Sequence, residues 1–223
     1  MDASPLVPDI LFQWGPVPIS RAVVTTWAIM AVLVAVSWAT LRRASVHGTG
    51  FQSVLEIVVE ALEKQVYEII RRDPWPYLPL LGSLFIFLVF ANVSTIVPGM
   101  KPPTGHIETP AVLAGIIFLS IHYFGIQSRG LRAYALHYTK PNLLMLPLNV
   151  LSEFTRIFSL MIRLFGNIMS HEFVIAIVVF LAGLFLPIPF MLLGILIGII
   201  QAYIFTVLAA VFIGAAVGNV EAE

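Results

Sequence analysis

Apolar positions in this chain come as long runs rather than alternations, and the run lengths set the predicted elements. Residues 22–41 form the first run, about the ~20 residues a hydrocarbon core requires of a helix, and it stops at Arg42 and Arg43. Residues 51–72 differ. Val54, Leu55, Val58, Val59, Leu62, Val66, Ile69 and Ile70 keep a helical period, while Glu56, Glu60, Glu63, Lys64, Glu68, Arg71 and Arg72 fill the other side. That pattern predicts an amphipathic helix lying on a membrane surface or against a partner, not crossing. Asp73, Pro74, Trp75, Pro76 and Tyr77 close it, because proline lacks the donor a helix needs. Further spans are predicted over residues 78–97, 111–128, 147–181 and 191–217, with a proline and glycine loop at 98–110 and a turn at 183–190.

The run over 147–181 is too long for an upright span, which predicts one tilted helix or two abutting ones. It also contains two arginines. At about 100° per residue, Ser152, Arg156, Ser159, Arg163, Asn167 and Ser170 fall on one stripe. An arginine at bilayer depth costs between ~3 and ~15 kcal/mol, depending on how far it can snorkel, so lipid is not what this stripe faces. Arg163 could pair with Glu153 or Glu172 as a buried salt bridge. Both acids lie off its stripe, however, Glu172 by half a turn and Glu153 by about 80°. The other reading is a fixed cation awaiting a carboxylate from another chain, since guanidinium stays protonated at any working pH. Arg156 is read as snorkelling toward the nearer membrane face.

Composition agrees with the pattern: 59% of the 223 residues are hydrophobic, 11% are charged, and mean hydropathy is +0.97. A soluble domain carries about 25% charged residues, so the expected class is an all-α integral membrane protein. Net charge is zero, giving no basic surplus for nucleic acid, and the absence of cysteine excludes disulfides and thiolate metal sites. No Lys or Arg precedes Arg21, so the start lacks the basic region of a signal peptide and is expected to remain. Lys and Arg concentrate at 41–72 and 127–146, against Arg21 and Lys101 on the other side. The positive-inside rule then places the N-terminus outside and the C-terminus in the cytoplasm after five crossings. No linker or repeat divides the chain, which reads as a single multi-span membrane domain over 1–223.

Chemistry-bearing residues are few. His171 and Glu172, adjacent at membrane depth, suit an ion or proton entry path, or else a helix-end pair at the outer interface. Gln201, a lone strong polar residue in the last span, reads equally as interhelical glue or as a pathway residue. His106 and Glu108 read as a solvated loop. Gly194 with Gly198, and Gly214 with Gly218, read as close helix packing. No P-loop, GxGxxG, HExxH or GxSxG pattern occurs, so no nucleotide site, cofactor, metal site or covalent catalysis is expected.

The stretch SLMIRLFGNIMSHE, Ser159 to Glu172, resembles the signature helix of the a subunit of F-type ATP synthases. QAYIFTVLAAVFI, Gln201 to Ile213, resembles that family's last helix, and the two in this order on consecutive long helices are a specific signal. The likeness extends over nearly the whole chain, most strongly from Pro147 to Ile213. It implies that Arg163 matches the family's essential arginine facing the ring of c subunits. Asn167 and Gln201 match its polar neighbours, and Glu172 matches the acid of the outer half-channel. Three positions depart from the family's pattern. A glutamate common fourteen residues before the arginine is Asn149 here, with Glu153 one turn later; a common proline is Ile157; and a position often His or Glu is Gly194. His171 is then expected to substitute across the helix interface for the group missing at 194. The short N-terminus is similar to that of a variant bacterial subgroup.

The resemblance implies a stator subunit in the bacterial plasma membrane that passes protons or sodium ions to and from the c-ring, beside the b-subunit stalk and membrane lipid. Arg163, Asn167, His171, Glu172 and Gln201 would serve translocation, with Asn149, Glu153, Arg156, Ser159 and Ser170 secondary. Two other readings are a secondary transporter holding an anionic solute at the Arg163 stripe, and a structural scaffold. The first predicts internal repeats and broken helices, neither visible here, and the second leaves the stripe without a purpose.

Overall fold

The computed structural model describes residues 10–14, 17–42, 50–96, 102–139, 145–183 and 186–218. Arg43, Lys101, Lys140 and the polar end after Gly218 lie outside the described residues. A short antiparallel ribbon, β1 (Ile10–Trp14) and β2 (Val17–Ser20), opens the chain. The run pattern did not predict it, because two strands of four or five residues are below the length at which period can be read. Seven helices follow among the described residues: α1 (Arg21–Arg42), α2 (Gly50–Ile70), α3 (Leu78–Val93), α4 (Glu108–Arg129), α5 (Leu131–Thr139), α6 (Met145–Ala182) and α7 (Pro187–Val217). Four of them, α1, α4, α6 and α7, are long and apolar enough to cross a membrane. α3 is as apolar but has 16 residues, extended by a 3-10 turn over Ser94–Ile96.

Prolines explain where helices begin. Pro79, Pro110, Pro147, Pro187 and Pro189 all fall within the first three residues of a helix, where the missing N–H has no partner to lose. The turn expected over 183–190 is therefore shorter, and α7 begins at Pro187. By the same logic α4 starts at Glu108 rather than Ala111, so Glu108 is a first-turn residue and not part of a solvated loop. The preceding segment is not solvated either. Pro103, Thr104 and Gly105 form a buried 3-10 turn against α6. In the basic connection over 127–146, α5 is a further helix that no apolar run marks. Its Tyr134 is buried against Gly125 of α4.

α6 is one continuous helix of 38 residues, which settles the choice between one helix and two. α7 runs antiparallel to it and occupies the centre of the bundle, packing on α2, α3, α4 and α6. Ala202, Phe205, Ala209, Ala210 and Ile213 of α7 meet Leu81, Leu84 and Leu88 of α3, Ile117 and Ile121 of α4, and Leu160 and Leu164 of α6. Small residues on α7 let its neighbours approach closely. α2 leans on α7 through Leu62, Val66 and Ile70, and Tyr203 Oη donates to Gln65 Oε1 at 2.9 Å.

Two glycines make particular contacts possible. Gly218 ends α7 at φ +81° and ψ +119°, a conformation that side-chain-bearing residues rarely adopt, and a Cβ there would collide with the Arg129 guanidinium. Arg129 Nε in turn donates to Val217 O at 3.1 Å, placing a cation on the carbonyl end of α7. Gly214 packs on Ile70 of α2. The expected packing role of this glycine pair thus resolves into a helix contact and a cap.

Candidate functional site

Polar side chains gather along α6 at three levels, and α7 forms the second wall at each. At the first level an open groove of about 540 Å³ runs beside the stripe. Ser152, Arg156, Ser159 and Arg163 line it from α6, and Leu208 and Phe212 close it from α7. Both arginines are exposed on the outside of the bundle. Among the described residues Arg163 makes no ion pair, so the buried salt bridge with Glu153 or Glu172 is not formed. The groove also lacks an acid among its lining residues, which leaves it cationic.

One turn further along α6 the polar groups turn inward. Asn167 Nδ2 donates to Gln201 Oε1 at 3.1 Å, joining α6 to α7. Gln201 is 4% exposed, and its Nε2 has no hydrogen-bond partner. A buried orphan donor is costly, by ~1–3 kcal/mol, and marks a place where an acceptor or water belongs. That place is a cavity of about 240 Å³ which Asn167, His171, Glu172 and Gln201 share with Asn92, Thr95, Gly194 and Gly198. Adjacent His171 and Glu172 both reach it because their 100° separation spans its width.

Each wall of this second cavity has a local cause. A Cβ at position 194 would collide with the His171 imidazole, so glycine there is what admits the ring. The Glu172 carboxylate packs on the Pro103–Gly105 turn, where a Cβ at Gly105 would lie 3.1 Å from Oε1. Asn92 of α3 donates through Nδ2 to Gly198 O at 2.8 Å and accepts at Oδ1 from Thr104 Oγ1 at 3.2 Å. Gly198 is required by that approach, since a Cβ would stand 2.7 Å from Asn92 Cβ. The Gly194 and Gly198 pair thus admits polar side chains rather than another helix backbone.

The third cavity, about 430 Å³, lies toward the start of α6. Asn149, Ser152, Glu153 and Arg156 line it with Tyr134 of α5 and Phe212, Ala215 and Ala216 of α7. Behind Glu153 stands His122 of α4, its Nδ1 3.8 Å from Glu153 Oε1. Arg163 falls between the second and third cavities, nine residues from Glu172 and ten from Glu153. At 1.5 Å per residue these separations are about 14 and 15 Å along the helix. The arrangement offers two polar chambers opening at different heights, with a cation on the outer face between them.

Of the residues singled out from sequence, Asn167, His171, Glu172 and Gln201 converge on the second cavity, and Asn149, Glu153 and Arg156 on the third. Ser159 and Arg163 line the groove. Ser170 is exposed and lines none of the three. Sequence reasoning missed Asn92, Thr104, Tyr134 and His122. His122 and Asn92 each sit as a single polar residue inside an apolar run, which is the signal that could have found them.

Comparison with known proteins gives a consistent picture. The family described as ATP synthase A chain matches residues 23–214. ATP synthase subunit a 2 of Bradyrhizobium sp. is 59% identical over 99% of both chains. ATP synthase subunit a 1 of Chlorobium luteolum is 44% identical over 93% of this chain and 94% of its own. ATP synthase subunit a 2 of Acaryochloris marina is 42% identical over 95% of this chain and 92% of its own.

Proposed function

Because the chain belongs to the ATP synthase A chain family, we propose that it is the ion-conducting stator subunit of the Fo membrane sector. In this reading it passes protons or sodium ions to and from a rotating c-ring through two offset half-channels. The observation that carries the reading is the placement of Arg163 on the outer face of α6 between two polar cavities. The whole chain acts as one membrane domain of the bacterial plasma membrane. It crosses five times, with α3 as the shortest span, and α2 lies at the cytoplasmic side. The N-terminus faces outward, so the Glu172 cavity is the outer chamber and the Glu153 cavity the cytoplasmic one. The b-subunit stalk holds the chain against rotation.

An ion enters past Glu172 and His171, with His171 taking the place of the group missing at Gly194. It neutralises a c-ring carboxylate, which can then turn into lipid. After rotation the carboxylate returns beside the cytoplasmic chamber, and the Arg163 guanidinium favours its ionised form, so the ion leaves past Glu153 and Asn149. The same charge repels an ion moving straight from one chamber to the other. Asn167 and Gln201 hold α6 against α7 at the level where the carboxylate passes. Each charge moved across the membrane is worth ~2.3 kcal/mol per 100 mV, so several must cross for each ATP made.

The test is ATP-driven ion transport by the assembled complex in vesicles. Arg163→Ala should abolish it, and coupled pumping at the wild-type rate would overturn the reading. Running the assay with and without sodium identifies the ion.

A further inference from the structure

We infer that His122 is a positioning residue of the cytoplasmic chamber, orienting the Glu153 carboxylate for ion exchange. This rests on the half-channel reading above and names a residue that the family likeness does not supply. His122 Nδ1 lies 2.9 Å from the carbonyl oxygen of Phe118 one turn earlier on α4. A carbonyl can only accept, so Nδ1 carries the hydrogen. The same nitrogen is 3.8 Å from Glu153 Oε1, so the N–H edge of the ring is presented to the carboxylate across the α4 and α6 interface.

The ring is not free to leave. Phe118 tilts against it at 4.4 Å between centroids, and Tyr134 of α5 meets it edge-on at 5.9 Å. Glu153 is more enclosed than its partner, with 16% of its side chain exposed against 35% for His122. The other groups facing Glu153 are Arg156, three residues along α6, and Tyr134. α7 contributes Phe212, Ala215 and Ala216 to the chamber and nothing titratable. Glu153 thus has the polar edge of the His122 ring beside it on a different helix. This arrangement places the working acid of the chamber at Glu153, one turn from Asn149, with an imidazole on α4 to orient it.

The test uses the assembled complex in vesicles, normalised to the amount of complex recovered, reading ATP-driven transport. His122→Phe keeps the ring packing and removes the donor. It should slow transport about tenfold. His122→Asn, whose amide places a donor near Nδ1, should restore most of the rate. In a Glu153→Gln background His122→Phe should have no additional effect. A wild-type rate for His122→Phe would overturn the inference. So would equal slowing by Phe and Asn, which is a packing effect, or a full His122→Phe effect in the Glu153→Gln background. Arg163→Ala in the same series separates the two levels. If it pumps, the half-channel reading fails; if it is inactive while His122→Phe is normal, only the role of His122 fails.

Discussion

Gly198→Ala tests whether the wall of the Glu172 cavity is built by Asn92. The added methyl would sit 2.7 Å from Asn92 Cβ and 3.2 Å from its Cγ. Asn92 cannot swing aside cheaply, being 4% exposed and tied by hydrogen bonds to Gly198 O and Thr104 Oγ1. Overpacking of a buried contact costs ~1–3 kcal/mol, and losing the two hydrogen bonds adds ~1 kcal/mol each. Replacing glycine by alanine inside a helix returns ~1 kcal/mol. The net expectation is a loss of about 2–4 kcal/mol. For a chain of this size that lowers the melting temperature by roughly 4–16 °C. The comparison is Gly115→Ala in α4, where a Cβ meets nothing within 4 Å and the helix-propensity gain should stand alone. Thermal unfolding of the purified chain in detergent, followed by helical circular dichroism, reads both. Unchanged stability in Gly198→Ala, or an equal fall in Gly115→Ala, would refute the reasoning.

Gln201→Leu removes the acceptor of Asn167 Nδ2 and the orphan Nε2 together. A double-mutant cycle with Asn167→Ala should return a coupling of ~1 kcal/mol, read by the same unfolding assay. Arg129→Ala removes the cation and donor from the carbonyl end of α7, which should cost ~1 kcal/mol and speed hydrogen exchange at the amides of residues 214–218.

Long apolar periods made the four long spans and α2 legible from sequence, since a run of span length admits few alternatives. The same reading failed where a run was short or where tertiary contacts overrode composition. Pro103, Thr104 and Gly105 look like solvated loop residues, yet they are buried because the Glu172 carboxylate and Asn92 supply partners for a segment that water would otherwise serve. α5 has too few residues for its period to stand out, and it is held by Tyr134 packing on Gly125. Among site residues the α6 stripe could be read because its polar positions repeat on one helix face. His122 and Glu153 could not be joined that way. They are 31 positions apart, and only the antiparallel packing of α4 on α6 brings them to 3.8 Å.

The exposed face of α6 carries an energetic demand that the chain does not meet alone. Leu160, Leu164 and Phe165 are its buried apolar residues, and Phe154, Phe158 and Ile162 face outward beside Arg156 and Arg163. A span presenting those phenylalanines to lipid would be stable, but adding Arg163 costs ~3 kcal/mol or more. That is a substantial part of the ~5–15 kcal/mol by which a folded domain is stable at all. Snorkelling relieves Arg156, which lies two turns nearer the helix start and borders the Glu153 cavity. It relieves Arg163 less, because Arg163 lies near the middle of α6, nine residues from Glu172 and ten from Glu153. The face is therefore expected to be covered in the assembled enzyme, and on the proposed reading the covering surface brings a carboxylate. Two features of α6 then have one cause. Its apolar outward face suits a surface that slides past in the membrane, and its single central cation suits a partner that must be charged there and neutral elsewhere.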